Sequence, residues 1–431
     1  MRTRGFLNAC RLLVGAFAVA AGSFALAADR GESIFKGALG YTVQIKTTVP
    51  VPFEGDRKGS GFGAGFLVDA ARGWVMTNAH VVSRSPSRVE LAFHGGEYVE
   101  ATKIYVDPHL DLALLKVGDQ VSTRELRPPA LDCGGLPSVG HPVGAFGHPW
   151  RLQFTGTRGI ISGVTAKYRT ELLQTDAPIN AGNSGGPLIS LETGKIVGIN
   201  TASIRGAQNT NFAVAMKYAC RILELLQAGR DPSPPELNLV YFQDTDNRKV
   251  LRVARGYAGA ASGFLPGDVV KEVVGAADKI ENETQLLHAL RGRLDAATIR
   301  LARDGADVVL NGSKPAAPLV IAERGVYASG VLLGRVTYRD ADEFRVSGFM
   351  VHHVEPGSLG ESQEISKADL LEAVDGARID TLDQLLLHLK NAEAKGSRVR
   401  FTFKRLSGGE ALFSYTERGL PMRDVRVVGP Q

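Results

Sequence analysis

Gln174-Thr175-Asp176-Ala177-Pro178-Ile179-Asn180-Ala181-Gly182-Asn183-Ser184-Gly185-Gly186-Pro187-Leu188 carries the most telling pattern in the chain. A serine between glycines can sit on a turn that a Cβ would forbid. Its hydroxyl can then face a cleft, with neighbouring N–H groups aimed at the same point, which is the geometry of acyl transfer. The local pattern Gly182-Asn183-Ser184-Gly185-Gly186 also fits the strand-to-helix nucleophile elbow. That reading needs a helix directly after the serine, with the acid and histidine downstream. Pro187-Leu188-Ile189-Ser190 reads as a strand instead, followed by a turn at Glu192–Lys195 and a second strand, Ile196-Val197-Gly198-Ile199-Asn200, so the elbow loses.

Working outward, short apolar strands with glycine turns dominate the first half of the chain. Tyr41–Thr47 alternates, and Gly63–Val68 is joined by a turn at Asp69–Gly73 to Trp74–Val82, which delivers His80 at a strand end. Val89–Phe93 and Tyr98–Val106 follow, then Asp111 at the head of the buried strand Leu112–Val117, then Gly140–Gly147 and Gly159–Thr165. Many short strands at even spacing predict an all-β pair of barrels. Helical spacing first becomes convincing at Ala215–Ala228, with Met216, Ala219, Cys220, Leu223 and Leu226 on one face.

At its start, Arg2 and Arg4 precede an apolar run from Leu12 to Leu26 and the small-residue site Ala25-Leu26-Ala27. Residues 1–27 therefore read as a secretory signal peptide, which places the mature protein in the periplasm or otherwise outside the cytoplasm. Three of the five surplus positive charges, on Arg2, Arg4 and Arg11, lie in that segment and leave a net +2. The pI of about 9.0 thus overstates the charge of the exported protein, and no nucleic-acid partner is implied. Cys133 and Cys220 remain after cleavage; an oxidising compartment permits a bridge, and sequence leaves the pairing open.

Arg230-Asp231-Pro232-Ser233-Pro234-Pro235 reads as a stiff linker, taken as 230–236. Two units of like layout follow it. The first has the strand Val250–Val253, the segment Gly259–Val270, a helix at Glu283–Arg293 and the strand Thr298–Arg303. The second has Gly348–Val354, Asp369–Gly376, a helix at Leu382–Ala392 and the strand Arg398–Lys404. This is an internal repeat of roughly 90–100 residues. The adjacent pair His352-His353 points to opposite faces of a strand, so it is no metal site.

His80, Asp111 and Ser184 occur in the chain order His…Asp…Ser of a well-known serine-protease triad, and the mechanism read here is that triad's mechanism applied to this chain. Ser184 is the nucleophile, His80 the base and then the acid, Asp111 the residue that orients the imidazole, and the N–H groups of Gly182 and Ser184 the oxyanion donors. No metal or cofactor is called for. His94, His109, His141 and His148 read as structural histidines, and Asp107 as a turn former.

The blocks Thr77-Asn78-Ala79-His80-Val81-Val82, Asp111-Leu112-Ala113-Leu114-Leu115-Lys116 and Gly182-Asn183-Ser184-Gly185-Gly186-Pro187-Leu188, with Gln174–Ala177 and Gly198-Ile199-Asn200-Thr201, closely resemble the trypsin-like serine proteases of the HtrA/Deg family. The resemblance implies a mainly β chain: a trypsin-like double six-stranded β-barrel over 28–229, followed by two small α+β PDZ-like domains at 237–313 and 319–428. Gly263-Phe264-Leu265-Pro266-Gly267-Asp268-Val269-Val270 resembles a PDZ signature, and Gln363–Asp369 departs from it. The expected carboxylate-binding stretches are Leu237–Val240, which has no glycine, and Val331–Gly334. Peptide capture at the first unit is therefore in doubt, and a docking role is favoured for the second.

The same resemblance implies a homotrimer, with Ile34-Phe35 in trimer packing or in a core strand. It also places Ile179, Asn180 and the segment Asn200, Thr201, Ala202 and Ser203 around a substrate pocket. Pro178 stands where a Lys- or Arg-specific site needs a buried acid, so small aliphatic side chains are expected to fit. Asn183 cannot form the ion pair that clipped zymogens use; loops at 166–171 and 204–209 are expected to order the site instead. The function expected is an exported serine endopeptidase acting on unfolded polypeptides in protein quality control. The alternative is a PDZ-based binding module or holdase with a latent protease domain.

Overall fold

A computed structural model describes residues 31–148, 154–166, 170–203, 209–237, 239–242, 250–256, 263–277, 279–336, 348–407 and 412–430. The expected signal peptide lies outside the described residues, as do most of the loops at 166–171 and 204–209.

Six strands close the first barrel: β1 (Thr42–Val49), β2 (Gly59–Asp69), β3 (Trp74–Thr77), β4 (Arg88–Phe93), β5 (Val99–Asp107) and β6 (Leu112–Val117), in the order β1-β2-β3-β6-β5-β4. One helical turn, α1 (Ala79–Val82), interrupts it. The second barrel consists of β7 (Pro142–Gly147), β8 (Thr155–Thr165), β9 (Leu172–Thr175), β10 (Pro187–Ser190), β11 (Ile196–Ser203) and β12 (Asn211–Ala215), in the order β10-β11-β12-β9-β8-β7. Alternating apolar residues fill both interiors. Val43, Ile45, Phe66, Leu91 and Leu114 of the first and Val143, Ala145, Leu173, Ile199 and Val214 of the second belong to one continuous core. Closure leaves no sheet edge.

Helix α2 (Met216–Gln227) follows β12. Its buried face is Met216, Tyr218, Ala219, Ile222, Leu223 and Leu225, rotated from the face expected, so that Cys220 and Leu226 sit at the margin. From that margin Cys220 is disulfide-bonded to Cys133 in the segment between the barrels. The run at 31–38 is helical rather than a strand, and Phe35 packs edge-on against Phe146, ring centroids 4.4 Å apart.

Two further antiparallel sheets follow. The first has β13 (Leu239–Tyr241), β14 (Leu251–Gly256), β15 (Val269–Val273), β16 (Ala297–Arg303) and β17 (Ala306–Gly312), in chain order, with α3 (Glu283–Leu290) packed against it. The second has β18 (Gly325–Ala328), β19 (Val331–Arg335), β20 (Phe349–Val354), β21 (Leu370–Val374), β22 (Arg398–Ser407), β23 (Leu412–Pro421) and β24 (Arg426–Val428), in the order β23-β22-β21-β20-β19-β18-β24, with α4 (Leu382–Ala394) against it. Helix α4 starts on a capping box between Thr381 and Gln384.

The repeat extends to single hydrogen bonds. Asp268, just before β15, takes Arg303 Nε and Nη2 at 2.8 and 2.9 Å and the Leu265 N–H at 2.8 Å. Asp369, just before β21, takes Arg405 Nε and Nη2 at 2.6 and 2.7 Å and the Ser366 N–H at 2.9 Å. Burial would push the Asp268 carboxyl up, yet the Arg303 fork and the Leu265 N–H hold it below its ordinary value.

The proline-rich stretch after α2 is not a loose tether. Pro232, Ser233, Pro234 and Pro235 are buried, and Pro235 bridges to Ala316. The second sheet also touches the first barrel directly: Val51 and Phe53 pack with Tyr327, Leu332 and Val428. The Glu54 N–H donates to His352 Nδ1 at 3.1 Å, while His352 Nε2 bonds the Arg335 carbonyl at 2.9 Å.

Candidate active site

The seam between the barrels is where the three candidate residues come together. On the first barrel, β3 ends at Thr77 and the chain turns into α1, so His80 sits in a helical turn rather than at a strand end. The reason is local: Thr77 donates to the Ala64 carbonyl at 2.7 Å, and Asn78 Nδ2 donates to the Asp111 carbonyl at 2.8 Å, which bends the backbone out of the sheet. Asp111 enters β6 with φ +52°, in the left-handed region that a short polar side chain tolerates.

Its carboxylate faces His80. Nδ1 of the imidazole lies 2.8 and 3.0 Å from the two oxygens, and the His80 backbone N–H donates to one of them at 3.0 Å. That leaves Nε2 as the outward nitrogen of the half-exposed ring. Burial would lower the imidazole pKa, but the hydrogen bond and charge of Asp111 outweigh it and hold it above histidine's ordinary 6.5.

The serine loop docks across the seam. The Ser184 carbonyl accepts from the Ala64 N–H of β2 at 2.8 Å. Gly185, at φ +84°, lies so close to Thr77 and the Ala64 carbonyl that a Cβ would run into both. The Ser184 hydroxyl donates to the Thr201 carbonyl at 3.0 Å, and the Thr201 hydroxyl donates to Asp111 Oδ2 at 2.5 Å. One residue of β11 thus touches both the acid and the nucleophile. Sequence reasoning placed Thr201 in the pocket and missed this role; a polar residue on a buried strand was the available signal.

Neither the Gly182 nor the Ser184 N–H is used in a hydrogen bond among the described residues. Asn183 is fully buried and its amide has no partner among the described residues.

Of the pocket residues, Ile179 is buried and Asn180 exposed. Asn200 is turned into the scaffold, its amide donating to the carbonyls of Phe146 and Pro187 at 3.2 Å each. Ala202 and Ser203 continue β11, where the strand is irregular against β12. His148 is buried, and His141 bonds Ser190 at 2.8 Å. Asp107 is a turn former, as expected, with more attached to it than a turn requires.

A histidine held by a carboxylate on one barrel, joined through Thr201 to a serine on a glycine turn of the other, suits a trypsin-like hydrolase. Comparison with known proteins agrees. A trypsin-like peptidase domain matches residues 63–199. The matches support a trypsin-like serine protease of the HtrA type. The protease is 29% identical over 361 residues to the probable periplasmic serine endoprotease DegP-like of Chlamydia pneumoniae, covering 77% of this chain and 71% of the relative. It is 33% identical over 255 residues to the putative serine protease HhoA of Synechocystis sp., covering 52% and 63% of the two chains. In fold it is similar to the HtrA-type protease AlgW with tripeptide, at 24% identity and a TM-score of 0.52, covering 66% of this chain and 97% of that one.

Proposed function

We propose that the protease hydrolyses peptide bonds through His80, Asp111 and Ser184, with the N–H groups of Gly182 and Ser184 as the oxyanion hole. The observation that carries this reading is the linked set of hydrogen bonds from His80 to Asp111, from the Thr201 hydroxyl to Asp111 and from the Ser184 hydroxyl to the Thr201 carbonyl. Catalysis starts when the Ser184 hydroxyl leaves the Thr201 carbonyl and gives its proton to His80 Nε2 as Oγ attacks the substrate carbonyl. Asp111 stabilises the imidazolium that forms, and the two N–H groups take up the oxyanion. Collapse expels the amine, protonated by His80, and water then frees the acyl group by the same steps in reverse. The uncharged segment Pro178-Ile179 before the serine loop suits cleavage after Val or Ala, and such weak selection suits unfolded chains. The names of its relatives support an exported, periplasmic enzyme of protein quality control, assembled by family resemblance as a homotrimer.

We read the two C-terminal sheets as PDZ domains at 237–313 and 319–428. A PDZ ligand adds as a strand beside a sheet edge. In the second sheet, the strand after Ser329 and Gly330, β19, is paired on both sides, by β18 and β20, so its edge is closed and the unit serves as a dock. In the first, β13 pairs with β14 alone among the described residues, which leaves room for a peptide.

Replacing Ser184 with alanine tests the reading. Cleavage of casein is lost while binding of unfolded protein is retained; unchanged cleavage would exclude Ser184 as the nucleophile, whereas a wild type that binds unfolded protein without cleaving it would favour the holdase alternative.

A further inference from the structure

Asp107 ends β5, four residues before Asp111, and its side chain has no contact with solvent. One carboxylate oxygen accepts the N–H groups of His109 at 2.9 Å and Leu110 at 3.0 Å, which folds the chain into the turn that delivers Asp111. The other accepts the Tyr105 hydroxyl at 3.0 Å and lies 2.5 Å from Arg291 Nη2. Arg291 belongs to the first C-terminal unit. It terminates α3, is itself fully buried, and through Nη1 also donates to the Pro232 carbonyl at 2.5 Å and the Tyr105 hydroxyl at 3.1 Å. Burial alone would push the Asp107 carboxyl up; the guanidinium and the turn N–H groups hold it below its ordinary value.

The other end of the same helix grips the protease as well. Asn282 Nδ2 and Gln285 Nε2 each donate to Glu171 Oε1 at 2.9 Å, and Thr284 Oγ1 accepts the Glu171 N–H at 2.9 Å. The second Glu171 oxygen accepts the Tyr218 hydroxyl. Beside it, Thr170 Oγ1 donates to the His109 carbonyl at 2.8 Å, so the two gripped loops are also bonded to each other. Simple docking of one domain on another would be served by surface contacts. A fully buried ion pair on the turn leading to the acid is a costlier arrangement, because removing either partner strands a charge without water.

We infer that Arg291 is a positioning residue for catalysis: it fixes the Asp107 turn, and through that turn the Asp111 carboxylate that orients His80. This rests on the triad reading given under the proposed function.

The test is a cycle in the full chain with Arg291→Met, Asp107→Asn and the double variant, assayed on a short Val anilide. Arg291→Met lowers kcat about 10- to 100-fold, the scale of a displaced catalytic group, with KM within about twofold. The amide introduced by Asp107→Asn keeps an oxygen for the His109 and Leu110 N–H groups and needs no counter-charge. The double variant therefore recovers most of the kcat lost in Arg291→Met. A folded Arg291→Met variant with kcat within about twofold of the wild type overturns the inference, as does a double variant no faster than the single. Should Arg291→Met fail to fold, Arg291→Gln, which retains a donor for Pro232, supplies the same arm. Failure of the triad reading would appear separately, as a wild-type chain whose activity survives Ser184→Ala.

Discussion

Thr201→Val removes one hydroxyl and keeps the shape of the side chain, so it isolates the bond between β11 and the acid. That bond is 2.5 Å long and ends on a carboxylate. Hydrogen bonds to charged groups are worth about 1.5–3 kcal/mol, and each 1.36 kcal/mol is tenfold in rate, which sets a ceiling of roughly 10- to 150-fold. Two observations lower the expectation within that range. Asp111 keeps the His80 backbone N–H and Nδ1–H as donors, and its side chain is 30% exposed, so water can replace part of what is lost. The expected loss in kcat is therefore about tenfold, with KM unchanged, since the Thr201 carbonyl remains for Ser184. Thr201→Ser restores the hydroxyl and most of the rate. Steady-state kinetics on a Val anilide decides it. A kcat within about twofold of the wild type, or a loss that Ser does not recover, would refute the assignment of Thr201 to the acid.

Other outcomes follow from the same geometry. His80 must be neutral to accept a proton, so kcat/KM falls as pH drops through its pKa, with a midpoint above 6.5; Asp111→Asn removes the negative charge that helps raise it and moves the midpoint lower. Among anilides differing only in the cleaved residue, Val and Ala are turned over faster than Lys or Arg, and equal or better cleavage after Lys or Arg would contradict the pocket reading. Cys133 and Cys220 are 87 positions apart. In the chain-entropy account that bridge contributes about 4–5 kcal/mol, so Cys220→Ser lowers the unfolding midpoint in denaturant, and an unshifted midpoint would argue against the bridge.

Much of this protein was legible in its sequence, for identifiable reasons. Alternating short strands with glycine turns imply closed barrels, because edges and interiors must both be satisfied. The serine loop stood out because Gly185 and Gly186 tolerate an approach that no side chain allows. What escaped depends on the third dimension. His80 left the strand because Thr77 and Asn78 bond across the barrel. The Cys133 pairing needed the actual position of α2. Pro232–Pro235 has the composition of a tether, yet is buried where three parts of the chain meet. Asp107 read as a turn former, which it is; its second partner, Arg291, lies 184 positions away and no local pattern announces it.

Covalent labelling with a fluorophosphonate, followed by peptide mapping, asks whether Ser184 is a nucleophile activated by His80. A single adduct is expected on Ser184, forming in the wild type and failing to form in His80→Ala. An adduct on another serine, or labelling of Ser184 that is undiminished without His80, would contradict that role.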